Sequence, residues 1–355
     1  MKKHGLGKRI AACAAALMLL SVAASAETTL HLTFVGDCTL GSEEATRAQE
    51  GSFVSTIARE GYDWPFAYMQ EIFQKDDLTV VNLEGVLSDS SAEENKQKTF
   101  RFRGPIDYVE ILTRSGIDAV NLANNHTHDF GAQGYAATQA ALTQAGVGFF
   151  GGAEHFIFEK NGVKIAFYGF VPSDVTGNKQ QIAEELARVK REENVSAVVV
   201  TFHAGSEYST GRIARQAEYA HFAIDAGADL VIMHHPHVLQ GMEVYQNRSI
   251  CYSLGNFAFG GNARVRSIET VVVDAALTFD EDGTYLGQQL TLYPANMSGT
   301  APRNNYQPVL VSGKQAQAVM RAIQHDTPYR LEPYTDEAGC AKQLYYPAVG
   351  EAEAR

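Results

Sequence analysis

Basic residues are scarce in this sequence, cysteines are few, tryptophan occurs once, and long apolar runs are missing after the N-terminal segment. Each scarcity excludes something. With 29 Lys and Arg against 41 Asp and Glu, the formal net charge is −12. A surface of that sign repels polyanions at long range, which argues against nucleic acid as a partner. It repels acidic polymers of any kind, so such a partner has to be held by local basic residues or by metal ions. Of the 4 cysteines, Cys13 lies near the start, leaving Cys38, Cys251 and Cys340 in the body of the chain. Three scattered thiols make no disulfide framework, and an odd number leaves at least one unpaired. A single bridge among them stays open. Trp64, the one tryptophan, reads as a core residue. No stretch beyond residue 26 approaches the roughly 20 apolar residues that cross a bilayer.

The start of the chain is different. Lys2, Lys3, Lys8 and Arg9 precede an apolar stretch from Ile10 to Ala24, and Ala24-Ser25-Ala26 is a small-x-small exit. That order predicts a secretory signal peptide over residues 1–26 and an extracytoplasmic protein, secreted or held at the cell envelope. An uncleaved anchor is the alternative, although the apolar run is short for one. Cys13 sits too early to be a lipid-attachment site. The leader holds four basic residues and no acidic one, so its removal takes the net charge from −12 to −16.

The body reads as α/β. Strands are expected at 30–35, 78–81, 117–122, 147–150, 163–170, 195–202 and 230–233, and helices at 64–73, 105–115, 133–145, 180–193 and 212–226. Strands alternating with helices argue for parallel pairing. Residues 88–99 read as a solvated loop. Beyond residue 240 the pattern becomes strand-turn-strand, at 242–245, 249–254, 269–279 and 285–293. That predicts an antiparallel meander beside the parallel part. No linker or repeat divides the chain, so one compact domain is expected over 27–300. The segment 301–355, with a helix at 314–324, forms a C-terminal extension packed on it or trailing from it.

Polar residues collect at the strand ends. Asp37, Glu84, Asn125, His126, His203, His235 and His237 each lie at or just past the end of an apolar strand. In open α/β sheets, sites gather at the carboxyl edge. Carboxylates, an amide oxygen and imidazoles form a mixed O/N donor set that suits Zn, Mn or Fe better than calcium. Alone, a Gly-Asp turn or a lone His203 is more often structural. Three imidazoles at His234, His235 and His237 are harder to explain by packing. His-Pro-His is expected to run extended, with positions i and i+2 on one face and His234 a bystander.

At these residues the chain resembles the CapA family of poly-γ-glutamate capsule-synthesis proteins. The resemblance runs through Phe34-Val35-Gly36-Asp37, Val81-Asn82-Leu83-Glu84-Gly85 and Asn121-Leu122-Ala123-Asn124-Asn125-His126. It continues through Phe202-His203-Ala204-Gly205-Ser206-Glu207-Tyr208, the segment Ala228–Gln240 and Tyr252-Ser253-Leu254-Gly255-Asn256-Phe257. It implies a calcineurin-like metallophosphoesterase fold: two packed mixed β-sheets flanked by helices, with the site along one edge. It also implies roles. Asp37 and His237 would bind a first divalent ion, and Asn125, His203 and His235 a second. Glu84 would bridge them, and His126 would face the substrate as electrophile or general acid. Asn82, Asn124, Glu207, Tyr208 and Asn256 would support these residues from behind, Glu207 by orienting His203. Tyr252 and Ser253 would be structural. Two ions about 3.5–4 Å apart can supply a nucleophile and neutralise charge on substrate oxygens.

Two departures bear on this. Many metallophosphoesterases have a His where this chain has Thr39, so the first ion loses a ligand. Glu84 stands where the superfamily has a bridging Asp. For substrate, Arg101 and Arg103 fall on one side of an extended Phe100–Gly104, as a fork for carboxylate or phosphate. Arg212 and Arg215 are weaker candidates. The leading expectation is an exported, metal-dependent hydrolase or transferase of capsule synthesis. Its partners would be an anionic envelope polymer such as poly-γ-glutamate and membrane components of a synthesis complex. The alternatives are an exported phosphoesterase with no capsule role, and a non-catalytic subunit that binds polymer or assists its export.

Overall fold

The computed structural model describes residues 27–348, so the signal-peptide reading of residues 1–26 lies outside the described residues. Two mixed sheets pack face to face. The first is ordered Val309–Leu310, Tyr285–Asn296, Glu269–Phe279, Thr28–Thr39, Leu78–Leu83, Ala119–Asn121, Gly148–Phe150. From Thr28–Thr39 to Gly148–Phe150 the pairing is parallel, and on the other side of Thr28–Thr39 it is antiparallel. The second is ordered Met242–Tyr245, Arg248–Cys251, Leu230–His234, Ala197–His203, Val163–Phe170, Phe156–Lys160, parallel in its centre and antiparallel at both edges.

Period-2 alternation explains the layers. Leu30, Leu32 and Phe34 of the first sheet meet Ile165, Phe167, Val199 and Ile232 of the second in one buried cluster. The intervening residues Val198, Val200 and Phe202 turn outward onto helices Lys179–Glu192 and Ala214–Asp225 through Leu186, Val189, Tyr219 and Ala220. The outer face of the first sheet is covered by helices Phe53–Glu60, Val109–Ser115 and Gly131–Ala145, with Ile57, Ile111, Leu112 and Leu142 buried beneath them. Strands buried on both faces read as continuous apolar runs, as these do.

Four differences from the sequence reading have physical causes. The predicted meander is two hairpins: 242–251 extends the second sheet and 269–296 the first. A hairpin's own pattern is the same whichever sheet receives it. The segment 301–355 is woven in as far as it is described, because Val309–Leu310 and Ala341–Pro347 both pair with Tyr285–Asn296. The stretch 64–73 is a run of turns with a helix only at Gln70–Phe73. Trp64, half-buried, is tied at Nε1 to the Asn305 carbonyl at 2.8 Å. Helix Phe53–Glu60 was unforeseen, although Ser52 caps it by accepting from Ser55 N at 3.1 Å. Cys38, Cys251 and Cys340 are all free thiols.

Parallel pairing within each sheet sets the site. Asp37 is in register with Asn82, Asn82 with Asn121, and His203 with His234. The carboxyl ends of both parallel sets therefore meet at one edge of the sandwich.

Candidate metal centre

The first sheet contributes a wall of acids braced by amides. Asp37 is fully buried, and its backbone N–H donates to the Gly255 carbonyl at 2.9 Å. That approach needs Gly36, where a Cβ would stand 2.2 Å from the Gly255 oxygen. Asn82 Nδ2 donates to Asp37 Oδ1 at 2.8 Å, and Asn121 Nδ2 donates to Asn82 Oδ1 at 2.9 Å. Asn124 folds the following turn: its Nδ2 donates to the Leu83 carbonyl and its Oδ1 accepts from His126 N. His126 is then held by Asp129, whose Oδ2 lies 2.6 Å from Nδ1. Asp129 also accepts from Phe102 N at 2.8 Å and from Lys98 Nζ.

The second sheet contributes imidazoles. His234 Nδ1 lies 3.3 Å from Asp37 Oδ1 but is out of line for a hydrogen bond. His203 Nε2 is 3.1 Å from His235 Nδ1. His237 Nδ1 faces Asp37 Oδ2 at 3.3 Å and Asn256 Oδ1 at 2.9 Å. His235 and His237 have φ of 100° and 57°. The expected extended His-Pro-His is therefore wrong. Both residues sit in the left-handed region, at a cost of about 1–3 kcal/mol each that the surroundings must impose. The kink brings the two rings to 5.9 Å between centroids.

Glu84 is where these walls converge. It is fully buried, and neither carboxylate oxygen has a hydrogen-bond partner among the described residues. Around Oε1 stand three Nε2 atoms, of His126 at 3.7 Å, His203 at 3.7 Å and His237 at 3.9 Å. They are too far to donate to it. Burial pushes the Glu84 carboxyl up to about 8, helped by Asp37 and Asp129 and opposed by His237. For Asp37, burial acts upward but His234 and His237 outweigh it and hold the carboxyl well below the usual range. Burial lowers His203, His235 and His126. It also acts to lower His237, yet the neighbouring Glu84 and Asp37 carry that imidazole up to about 9.

The residues fit a divalent cation. A buried carboxylate without partners is costly unless a charge pairs with it. Asp37, Glu84 and His237 place one donor atom each within 4.8 Å of one another, and so do Glu207, His235 and His237. Carboxylate oxygen with imidazole nitrogen is a donor set for Zn, Mn or Fe.

Several sequence-derived roles change. Glu207 reaches towards His235 and His237 rather than orienting His203. His234, the expected bystander, is in neither donor group and is buried against Asp37. Asn125 is exposed, and the contact it makes is through its backbone carbonyl, which accepts from Lys98 at 2.5 Å. Arg101 and Arg103 do not form a substrate fork. Arg101 pairs with Glu94 at 2.9 Å, and Arg103 is buried on Glu44 at 2.8 Å and the Ser88 carbonyl at 2.8 Å. Arg212 is likewise held by Asp326 at 3.2 Å. Sequence reasoning missed Asp129 and Lys98. A carboxylate three residues after His126 was the available signal for Asp129. Lys98 was hidden in the segment 88–99 that read as solvated, which in fact folds back onto the His126 turn.

Comparison with known proteins adds three findings. The profile of the family described as Bacterial capsule synthesis protein PGA_cap matches residues 31–261. The capsule biosynthesis protein CapA of Bacillus anthracis is 29% identical over 298 residues, 77% of this chain and 69% of that protein. The PGA biosynthesis protein CapA of Bacillus subtilis (strain 168) is 30% identical over 252 residues, 65% of this chain and 63% of that protein. The chain thus spans about two thirds of the curated relatives it matches. Among solved structures, a 5'-nucleotidase precursor from Thermus thermophilus aligns over 83% of this chain and 57% of its own. It does so at 15% identity and a TM-score of 0.44.

Proposed function

The chain belongs to the bacterial capsule synthesis protein family PGA_cap, and on that premise we propose an exported, metal-dependent hydrolase or transferase. Its substrate would be poly-γ-glutamate or a related envelope polymer. The observation that carries this reading is Glu84, buried with two unpartnered oxygens and ringed by three Nε2 atoms that do not reach it. Asp37, Glu84 and His237 would hold one ion; Glu207 and His235, sharing His237, would hold or border a second, with His203 behind them. Such ions would polarise the oxygen of the scissile carbonyl or phosphoryl group and provide a nucleophile near neutral pH.

The rest belongs to the chain's own side chains. Asp129 accepts from His126 Nδ1, which fixes the ring and leaves Nε2 facing the centre. When His126 is imidazolium, a form that Asp129 favours against burial, Nε2 is the position from which a proton would pass to the leaving group. Phe102 lies 4.3 Å from the His126 ring and Phe259 5.1 Å from the His237 ring, so aromatic walls exclude water from that side. Incubating the purified protein with Mn or Zn and a γ-glutamate polymer, then sizing the polymer, tests turnover. His126→Ala should lower the rate about 10²–10⁴-fold while metal content stays unchanged. Turnover that survives the substitution would remove His126 from the mechanism.

A second reading, metal-dependent polymer binding without turnover, is favoured by one observation. Thr39 supplies no imidazole, and its buried Oγ1 has no partner among the described residues. Polymer binding that requires metal, with chain length unchanged, would select it.

A further inference from the structure

An acidic polymer approaching this acidic protein needs a cation at the mouth of the site, and the two arginines expected to supply it are consumed by Glu94 and Glu44. The fold presents another. Arg266 has no carboxylate within 4.0 Å and no side-chain hydrogen bond among the described residues. Its guanidinium carbon lies 3.6 Å from the centroid of the Tyr208 ring. The same ring lies 6.0 Å from the His237 ring between centroids. Tyr208 therefore links Arg266 to the edge of the metal centre.

Both sides of this contact are fixed. Tyr208 has a φ of 60°, in the left-handed region that a tyrosine rarely adopts, and its N–H donates to the Pro236 carbonyl at 2.7 Å. That bond straps it to the His235–His237 loop. On the other side, Val265 packs into the cluster of Phe102, Phe259 and Met297, and its N–H donates to the Pro302 carbonyl at 3.0 Å. Phe102 and Phe259 are the same rings that wall His126 and His237. Arg266 thus follows a residue anchored in the wall of the site. Its face is spent on an aromatic ring, and its edge, with the N–H fork, is free.

We propose that Arg266, laid on Tyr208, is a specificity-determining residue that receives a carboxylate of the polymer beside the bond presented to the metal centre. A planar fork matches a carboxylate with two parallel N–H···O bonds, and stacking orders the fork before the ligand arrives. Neighbouring Glu207 turns towards His235 and His237, so its charge faces the metal donors. The inference rests on the proposed reading of the site as one for an acidic polymer.

The test is calorimetric titration of a short γ-linked glutamate oligomer into full-length protein in Mn buffer. It compares wild type with Arg266→Gln, Arg266→Lys and Arg321→Gln, the last removing one exposed charge, without an ion pair among the described residues, from helix Gly313–His325. Arg266→Gln should weaken binding about ten- to hundredfold with metal content intact, Arg266→Lys should recover part of it, and Arg321→Gln should match wild type. Equal weakening by Arg266→Gln and Arg321→Gln, or none by Arg266→Gln, overturns the role of Arg266 while leaving the polymer reading in place. A wild type that ignores the glutamate oligomer overturns both. If it instead binds a glycerol-phosphate oligomer through Arg266, the fork serves phosphate and the carboxylate assignment is wrong.

Discussion

Strand Leu230–His234 has a buried acid near each end, and the two are treated in opposite ways. At its amino end Asp229 accepts from Lys190 Nζ at 2.7 Å, Arg248 Nε at 3.1 Å and Val198 N at 2.9 Å. Every charge there has a partner within the chain. At its carboxyl end, Asp37 leans on imidazoles, and the Glu84 carboxylate has no hydrogen bond among the described residues. Burial is nearly the same at the two ends: Asp229 is 2% exposed and Glu84 0%. What differs is the supply of cations. A fold able to satisfy Asp229 with lysine and arginine has surrounded Glu84 with neutral-capable donors instead, which is what a site for an external cation requires.

The sharpest way to break this contrast is to remove each acid in turn. Asp229→Ala should cost about 3–5 kcal/mol of stability, because it strands partly buried cations, and should leave metal content unchanged. Glu84→Gln should do the reverse, with little loss of metal-free stability and loss of bound metal. Thermal melts with and without chelator, beside elemental analysis, separate the two. If both variants lose stability alike and neither loses metal, the two ends are equivalent and the contrast is false.

The next largest effect is on pH. Glu84, up at about 8, and His237, up at about 9, both bind protons more tightly folded than unfolded. Their contribution is full below the unfolded values and fades as pH rises through the folded ones. Above about pH 7, where the lowered His203, His235 and His126 are neutral folded or unfolded, metal-free protein should therefore lose a few kcal/mol of stability up to about pH 9. Metal-loaded protein should show the opposite slope, since ligands bind deprotonated. A metal-free stability that is flat across this window would remove the electrostatic account of Glu84. Smaller again is Arg103→Gln. It leaves Glu44 with only Arg47 and the Ser88 carbonyl without its side-chain donor, and should destabilise by about 2–3 kcal/mol without weakening binding of a glutamate oligomer. Weakened binding would restore the substrate role that its ion pair denies it.

How much of this was legible in the sequence divides along the same contrast. Asp37, Glu84, His203, His235 and His237 could be placed because strand ends are visible in apolar runs and parallel pairing brings them to one edge. The resemblance supplied the two-sheet layout that alternation alone did not. Partners supplied by loops could not be placed. Alternation suggested Arg101 and Arg103 on one side of an extended segment, but it could not show Glu44 and Glu94, which the fold brings against them. Lys98 was invisible for the same reason, whereas Asp129, three residues after His126, was within reach of local spacing. The kinked backbone at His235 and His237 is imposed by tertiary contacts, so no local pattern announced it.

The central claim, that the carboxyl edge of the sandwich is a metal centre organised on Glu84, is tested most directly by metal content. Wild type, Glu84→Gln and His237→Ala would be stripped with chelator, incubated with Mn and Zn, desalted and measured by elemental analysis. The account predicts one or two equivalents in wild type and a loss of at least one equivalent in each variant, with folding intact by circular dichroism. A wild type that stays metal-free, or variants that retain wild-type metal content, would contradict it.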